Sequence, residues 1–460
     1  MSALGIFLLL SIMIPGVSIL EKAEALNGLV SMQKITVSVK NNLDPKGSNL
    51  LSQKDMDRIR EVFGGSMITH TIQAALPVSS ESVSVKARVI GTDSFYSMFH
   101  EVRIKNGGFL TQESDDRGEA VAVIEDDLAW QLFNTDNAVG NQIRIFGRTF
   151  RIIGIAVKDK SVIGRLSDDG NANIYIPSTI FFNLNKDAGI SCFEVETVDD
   201  GTLGGNESEI INALQSIGRN PSGYKITDYN IERALMEQKP VIAIFIIGLI
   251  TIIGAILYIK TIVVHLIAIF KSEAGNDYFF GLVRRNIFLL LQTAGKAGIA
   301  ILFILGLWQC ICFKLYINPV LVPDELIDIS YYAGLIKEHF QTIAVNIGYI
   351  APYAEQLFDK ARVLSDVLFF AGFLPGLLLL STGLSLFRKH AMETDRLLLI
   401  TGILLLVSTG ILLLLTILCG LQVRIEMRSF AVLWSFLLAG CLRKRDNLSA
   451  RTGDDNRISG

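Results

Sequence analysis

The sequence predicts an α+β extracytoplasmic domain inserted between the first and second helices of an all-α, multi-pass membrane domain. Three observations lead there. A polar stretch, Gln33–Gln238, carries both strand and helix periodicities. Apolar runs of bilayer-spanning length lie on either side of it, Ala3–Leu20 before and Val241–Ile259 after. Beyond Pro240, short loops bearing Lys and Arg alternate with further apolar runs, the pattern that keeps such loops cytoplasmic. With 460 residues there is room for two or three domains. Mean hydropathy is +0.43 and the charge is unevenly spread, which fits a polar domain joined to a membrane domain.

The first run, residues 1–20, reads as an uncleaved transmembrane helix. No Lys or Arg precedes it, although Ala23-Glu24-Ala25 resembles a cleavage box and leaves a removed signal as the alternative. In the polar domain, residues 33–238, Ile35, Val37 and Val39 alternate with Thr36, Ser38 and Lys40 as a half-buried strand. Ser52 with Asp55 forms a capping box, and Leu51 can staple onto Met56. Met56, Ile59, Val62 and Phe63 make the buried face of that helix, stopped by Gly64-Gly65. Val83, Val85, Ala87 and Val89 form a second strand. Val121–Ile124 is a third, followed by a helix from Asp126-Asp127 that ends near Gly140. Ile143–Phe146 and Thr149–Val157 read as a hairpin turning at Gly147-Arg148, and Ile174–Ile176 as a strand stopped by Pro177. Asn206 with Glu209 caps a helix whose buried stripe is Ile210, Ile211, Leu214 and Ile217, with Gly218 beyond its end. A last strand near Tyr224–Ile226 leads through an Asp228 or Asn230 cap into the helix that enters the membrane at Pro240.

In the block 240–313, the apolar run Val241–Ile259 is followed by a mixed segment, Lys260–Lys296, holding Lys271, Glu273, Asp277, Arg284 and Arg285, and then by a second run, Ala297–Phe313. The segment 314–365 reads as extracytoplasmic, with amphipathic helices such as Asp324–Phe340. Within 366–442, Val367–Phe387 and Leu397–Leu418 are further spans, with Arg388-Lys389 and Arg396 marking a second cytoplasmic loop. Phe430–Leu442 is too short to span unaided. Arg443-Lys444-Arg445 opens a polar cytoplasmic tail, 443–460.

Several chemistries are excluded or unsupported. Net charge is −3 and there is no long basic stripe, which speaks against a nucleic-acid partner. Five cysteines and five histidines show neither a disulfide framework nor metal-ligand spacing. No G-x-x-x-x-G-K-[ST] loop is present to cradle a triphosphate, so the chain is not expected to hydrolyse ATP or to need a cofactor of its own. Asp115-Asp116, Asp126-Asp127 and Asp168-Asp169 are sequence neighbours that read as solvated loop acids, and no G-x-S-x-G or H-E-x-x-H supports a hydrolase.

The polar domain resembles the extracytoplasmic core domain of MacB-type ABC transporter permeases. The likeness rests on "ARVIGTDSFYSMF", "GGFLTQESDDRGEAVAVIEDDLAWQLF", "AVGNQIRIFGRTFRIIGIAVK" and "NIYIPSTI", in that order between Ala87 and Pro177. The membrane block is similar to the FtsX-type permease domain of the same transporters. Glu273, Gly275, Gly281, Arg284 and Arg285 stand where the family places its coupling loop, while Phe270 stands where the family has arginine. The resemblance implies a permease subunit, as a homodimer or heterodimer in the cell membrane, worked by a separate cytoplasmic ABC ATPase that binds the ATP, to export or extract a substrate. An alternative is a non-transporting mechanotransmission or scaffold protein regulating an extracytoplasmic partner such as a cell-wall hydrolase.

Overall fold

The computed structural model describes residues 1–40, 49–197, 206–273, 284, 286–317, 322, 329–345, 351–389 and 394–442. The chain opens on α1 (Ser2–Met13) and α2 (Pro15–Leu26), one rod interrupted where Pro15 brings no backbone N–H. The predicted first run is thus extended to Leu26.

The head follows as β1 (Lys34–Val39), α3 (Gln53–Val62), β2 (Ile68–Ser79), β3 (Ser84–Thr92), α4 (Tyr96–Phe99), β4 (Ile104–Gly107), α5 (Gln112–Asp116), β5 (Val121–Glu125), α6 (Asp126–Phe133), β6 (Gln142–Ile145), β7 (Arg148–Ala156), α7 (Val162–Ser167), β8 (Ala172–Pro177), α8 (Ser178–Leu184), β9 (Cys192–Glu196), α9 (Asn206–Ser216) and β10 (Tyr224–Asp228). Its strands form a single mixed sheet in the order β10-β1-β9-β2-β3-β8-β5-β7-β4, with β6 bridging β2 and β7. Among the described residues, only β3–β8 and β5–β7 pair in parallel. Chain-distant strands β1, β9 and β10 lie side by side, so the beginning and end of the head close on each other.

The local signals act as their chemistry dictates. Ser52 accepts from the Asp55 N–H at 3.3 Å while Asp55 accepts from the Ser52 N–H at 3.0 Å. Leu51, Met56 and Ile59 are buried in the sheet's core with Ile124, Phe150, Ile174 and Phe193, and α9 adds Ile210 and Leu214.

Several expectations are corrected. β2, β4 and β9 do not stand out in the sequence: apolar and polar residues do not alternate cleanly along β2 and β4, and in β9 the alternation of Phe193 and Val195 with Glu194 and Glu196 runs for only four residues. Strand β1 is buried throughout rather than half-buried, since its polar face is also covered. The helix from Asp126 ends at Phe133, where Asn134 takes the left-handed conformation (φ 53°), well before Gly140. The hairpin turns at Phe146-Gly147, both with positive φ, one residue earlier than predicted. The cap at Asn206 lies outside the described side chains.

From β10 the chain passes without a linker into α10 (Tyr229–Glu273), 45 residues that rise through about 67 Å. Then come α11 (Ile287–Ile311), α12 (Ile329–Val345), α13 (Tyr353–Lys389), α14 (Thr394–Leu418) and α15 (Met427–Leu442). Helices α10 and α11 both reach further into the mixed segment than predicted, leaving only 274–286 between them. Likewise α13 begins at Tyr353, so the last quarter of the segment 314–365 forms its first turns. Among the described residues, five segments are long and apolar enough to cross a membrane: Ser2–Leu26, Tyr229–Lys271, Ile287–Ile311, Tyr353–Phe387 and Asp395–Leu418.

Helices α1 and α13 run antiparallel along a glycine seam. A Cβ on Gly5 would sit 2.5 Å from the Leu380 backbone nitrogen, one on Gly372 2.9 Å from the Leu8 carbonyl, and one on Gly383 2.1 Å from the Ser2 hydroxyl. The short α15 rises about 24 Å. It runs from the last turn of α11, where Arg428 donates to the Cys312 carbonyl at 3.3 Å, to the level of Thr401, which lies 4.0 Å from Cys441.

Candidate functional site

Two places on the rods are candidates. The first is the end of α10 away from the head. Glu273 is the last residue of that helix, and Arg284 is exposed just before α11. Gly275, Gly281 and Arg285, and the side chain of Glu273, lie outside the described residues. The chain geometry brings the end of α10 and the start of α11 to one connection, separated from the head by the length of α10.

The second candidate is the neck where head and helices meet, which the sequence reading did not single out. Helices α10 and α13 leave the head in parallel, paired by Glu232 with Arg362 at 3.0 Å and by Lys239 with Asp366 at 2.5 Å. Arg233 reaches Glu24 of α2 at 2.9 Å. Lys22, 9% exposed, lies 3.0 Å from Glu101 and 3.4 Å from Asp159, both in the head. The far end of α14 joins the same layer, with the Val162 N–H donating to the Cys419 carbonyl at 2.8 Å. Exposed ion pairs stabilise little, but a buried cation shared between two carboxylates fixes geometry, because removing one partner strands a charge.

Beneath this belt the first turn of α13 covers the polar face of β1. Glu355, buried, accepts from Ser38 at 3.3 Å and pairs with Lys225. Behind it lies a buried charge cluster. Lys34 is fully buried, 3.1 Å from Glu194, donates to the Phe99 carbonyl at 3.0 Å and lies over the Tyr229 ring at 5.0 Å. Glu194 also accepts from Thr36 at 2.8 Å and lies 2.5 Å from His100 Nε2. Burial pushes the Glu194 carboxyl up, but His100 and Lys34 outweigh it and hold it at about 2. Burial also drives the Lys34 amine and the His100 imidazole below their ordinary values, against the pull of Glu194. The pair ties β1 to β9 within the head, and removing one partner would strand a buried charge.

The signal for the cluster was present in part. Lys34 and Glu194 are charged residues inside strands, a placement that demands a partner. What the sequence withheld was that β1 and β9 are neighbours 158 residues apart, as the Thr36–Glu194 bond shows. Among the described residues no group of His, Cys, Asp and Glu is arranged to hold a metal ion.

Comparison with known proteins locates the head. Residues 2–213 match the family model described as MacB-like periplasmic core domain. A curated relative, "Uncharacterized ABC transporter permease YknZ" of Bacillus subtilis (strain 168), is 25% identical over 178 residues, 37% of this chain and 43% of the relative. "Macrolide export ATP-binding/permease protein MacB" of Aggregatibacter actinomycetemcomitans is 24% identical over 178 residues, 38% of this chain and 26% of that protein. The chain thus matches less than half the length of either. Among solved structures, the periplasmic region of MacB from Actinobacillus actinomycetemcomitans aligns at 18% identity with a TM-score of 0.37, over 45% of this chain and 92% of that one. The extracellular domain of the noncanonic ABC-type transporter YknZ aligns at 14% and 0.34, over 42% and 99%. With its apolar helices the chain is a multi-pass membrane protein, and its residues 2–213 carry a MacB-like periplasmic core domain of the kind found in ABC transporter permeases.

Proposed function

We propose that this chain is the permease subunit of an ABC system of MacB/FtsX type, set in the cell membrane with its head on the extracytoplasmic side, between the first and second spans. A separate cytoplasmic ATPase binds ATP and presses on the connection near Glu273, Gly275, Gly281, Arg284 and Arg285. The rods convey that motion to the head, which exports or extracts a substrate. The subunit acts as a homodimer or heterodimer, and the head offers a surface to an extracytoplasmic protein.

The observation that carries this reading is the unbroken passage from β10 into α10. One element joins the sheet to the proposed coupling connection, so displacement at one end is felt at the other as a rigid-body change. The MacB-like core domain and the relatives named as ABC transporter permeases support it. The loop charges follow the bias that holds Lys and Arg in the cytoplasm.

The test is labelling of intact cells with an impermeant maleimide, in a Cys312→Ser background. Glu81→Cys in the head reacts from outside, and Arg284→Cys reacts only after permeabilisation. Reaction of both from the same side refutes the reading. So does purification in mild detergent that never retains an ABC ATPase co-expressed from neighbouring genes.

A further inference from the structure

Helices α11 and α15 do not pack along their whole length. Between them lies a groove of about 210 Å³, lined by Phe303, Gly306, Leu307 and Cys310 from α11 and by Ala431 and Ser435 from α15. The residues on α11 span two turns, about 10 Å along the helix axis. The floor is open: a Cβ built on Gly306 meets no atom of the described residues within 4 Å. The wall is apolar save for the Cys310 thiol and the Ser435 hydroxyl, so this part of the groove suits a hydrocarbon chain and offers an ion nothing.

One end is different. Arg428 lies on the same face of α15 as Ala431 and Ser435, at helical spacing of three and seven. Its Nε donates to the carbonyl of Cys310, a groove residue, and its Nη2 donates to the Cys312 carbonyl at 3.3 Å. Those bonds fix the guanidinium at the mouth of the groove, at the head-side end of α11. A guanidinium carries five N–H donors in a planar fork, and these carbonyls take two of them. The residue is exposed, so the fork faces the surroundings at the depth where a spanning helix meets the headgroups. The nearby Glu426 carboxylate is turned back onto the helix start, accepting from Ser429 at 3.3 Å.

We infer that the groove between α11 and α15 is a binding site for an anionic phospholipid of the head-side leaflet. One acyl chain lies along Phe303, Gly306 and Leu307, and the phosphate is held by Arg428. The commitment to a lipid rests on charge complementarity at the mouth together with an apolar wall inside a membrane-crossing pair. Arginine recognises a phosphate oxygen pair with two parallel bonds, and a net anionic headgroup neutralises its charge where a zwitterionic one, whose own ammonium already answers the phosphate, does not.

The test uses the full chain in mild detergent and native mass spectrometry, with phosphatidylglycerol and phosphatidylcholine supplied in equal amounts. The unsubstituted chain retains one phosphatidylglycerol in preference to phosphatidylcholine by roughly tenfold, about 1.4 kcal/mol for a headgroup charge that no ammonium of its own compensates. Arg428→Gln still retains lipid but without the preference. Gly306→Leu fills the groove and loses both lipids. Where that variant does not fold, as judged by thermal unfolding, Ser435→Leu fills the same space from the other wall. Equal retention of the two lipids by the unsubstituted chain overturns the assignment, as does a filled variant that keeps its lipid. If Gly306→Leu changes the oligomeric state and leaves lipid retention untouched, the groove seats a second copy and the lipid assignment is wrong.

Discussion

Helices α1 and α11 are both strongly apolar, and sequence alone gives no reason to treat them differently. Yet α1 buries Ser2, Gly5, Ile6, Leu9, Leu10, Ser11, Ile12 and Met13 among its twelve residues, whereas α11 buries only Ala300, Leu307 and Ile311 among twenty-five. The difference lies in what faces them. Helix α1 meets a seam of glycines on α13 that lets two backbones touch, while α11 turns Phe288, Ile299 and Leu302 outward, at 70–80% exposure. Hydropathy measures the wish to leave water, not whether protein or lipid receives the side chain. The same contrast separates the neck, closed around its charges, from the far connection at Arg284.

That contrast can be broken most forcefully at the neck. Lys34→Ala leaves Glu194 buried without its lysine partner and is expected to cost about 3–5 kcal/mol, read as loss of the cooperative thermal transition of the full chain in nanodiscs. Arg284→Ala, on an exposed residue, is expected to shift that transition by less than about 0.5 kcal/mol. Equal effects would mean the cluster does not close the neck.

The helix comparison is sharpened by the same substitution made twice. Gly5→Leu forces a side chain into the Leu380 backbone and is expected to cost about 1–3 kcal/mol. Gly298→Leu on α11, where a Cβ meets nothing within 4 Å among the described residues, is expected to be tolerated. If Gly298→Leu is the more damaging, α11 has a close partner.

The smallest effect concerns protons. His100 is held below its ordinary value of 6.5 in the fold. The unfolded chain therefore takes up a proton first as pH falls, so stability is full above 6.5 and erodes below it. The facing charges are Lys34 and Glu194. Glu194, held at about 2, stays ionised through that window, so its own contribution is lost only at far lower pH. His100→Gln is expected to flatten the slope of melting temperature against pH just below 6.5; an unchanged slope assigns it to other groups.

Much of the head was legible because its signals are local. The box at Ser52, the stripe Ile210–Leu214 and the pattern from Val121 to Ala156 each depend on residues a few positions apart. Of the strands that escaped notice, β4 and β9 depend on partners far along the chain, whereas β2 pairs with the adjacent β3 and escaped because its residues do not alternate. The polar face of β1 is covered from afar, Thr36 by Glu194 and Ser38 by Glu355, the latter more than three hundred residues away. The far connection was proposed from resemblance, whereas the neck needed both ends of the chain in space.

The strand β10 hands over to α10 with Asp228 accepting from the Asn230 N–H at 2.9 Å and no residue to spare between them. A shaft welded to a plate in this way has no universal joint. Torque about the axis of α10 must twist the outermost strand of the sheet and, through β1, the layer of charges beside it. Under the proposed coupling the head would follow the rod's rotation as well as its tilt.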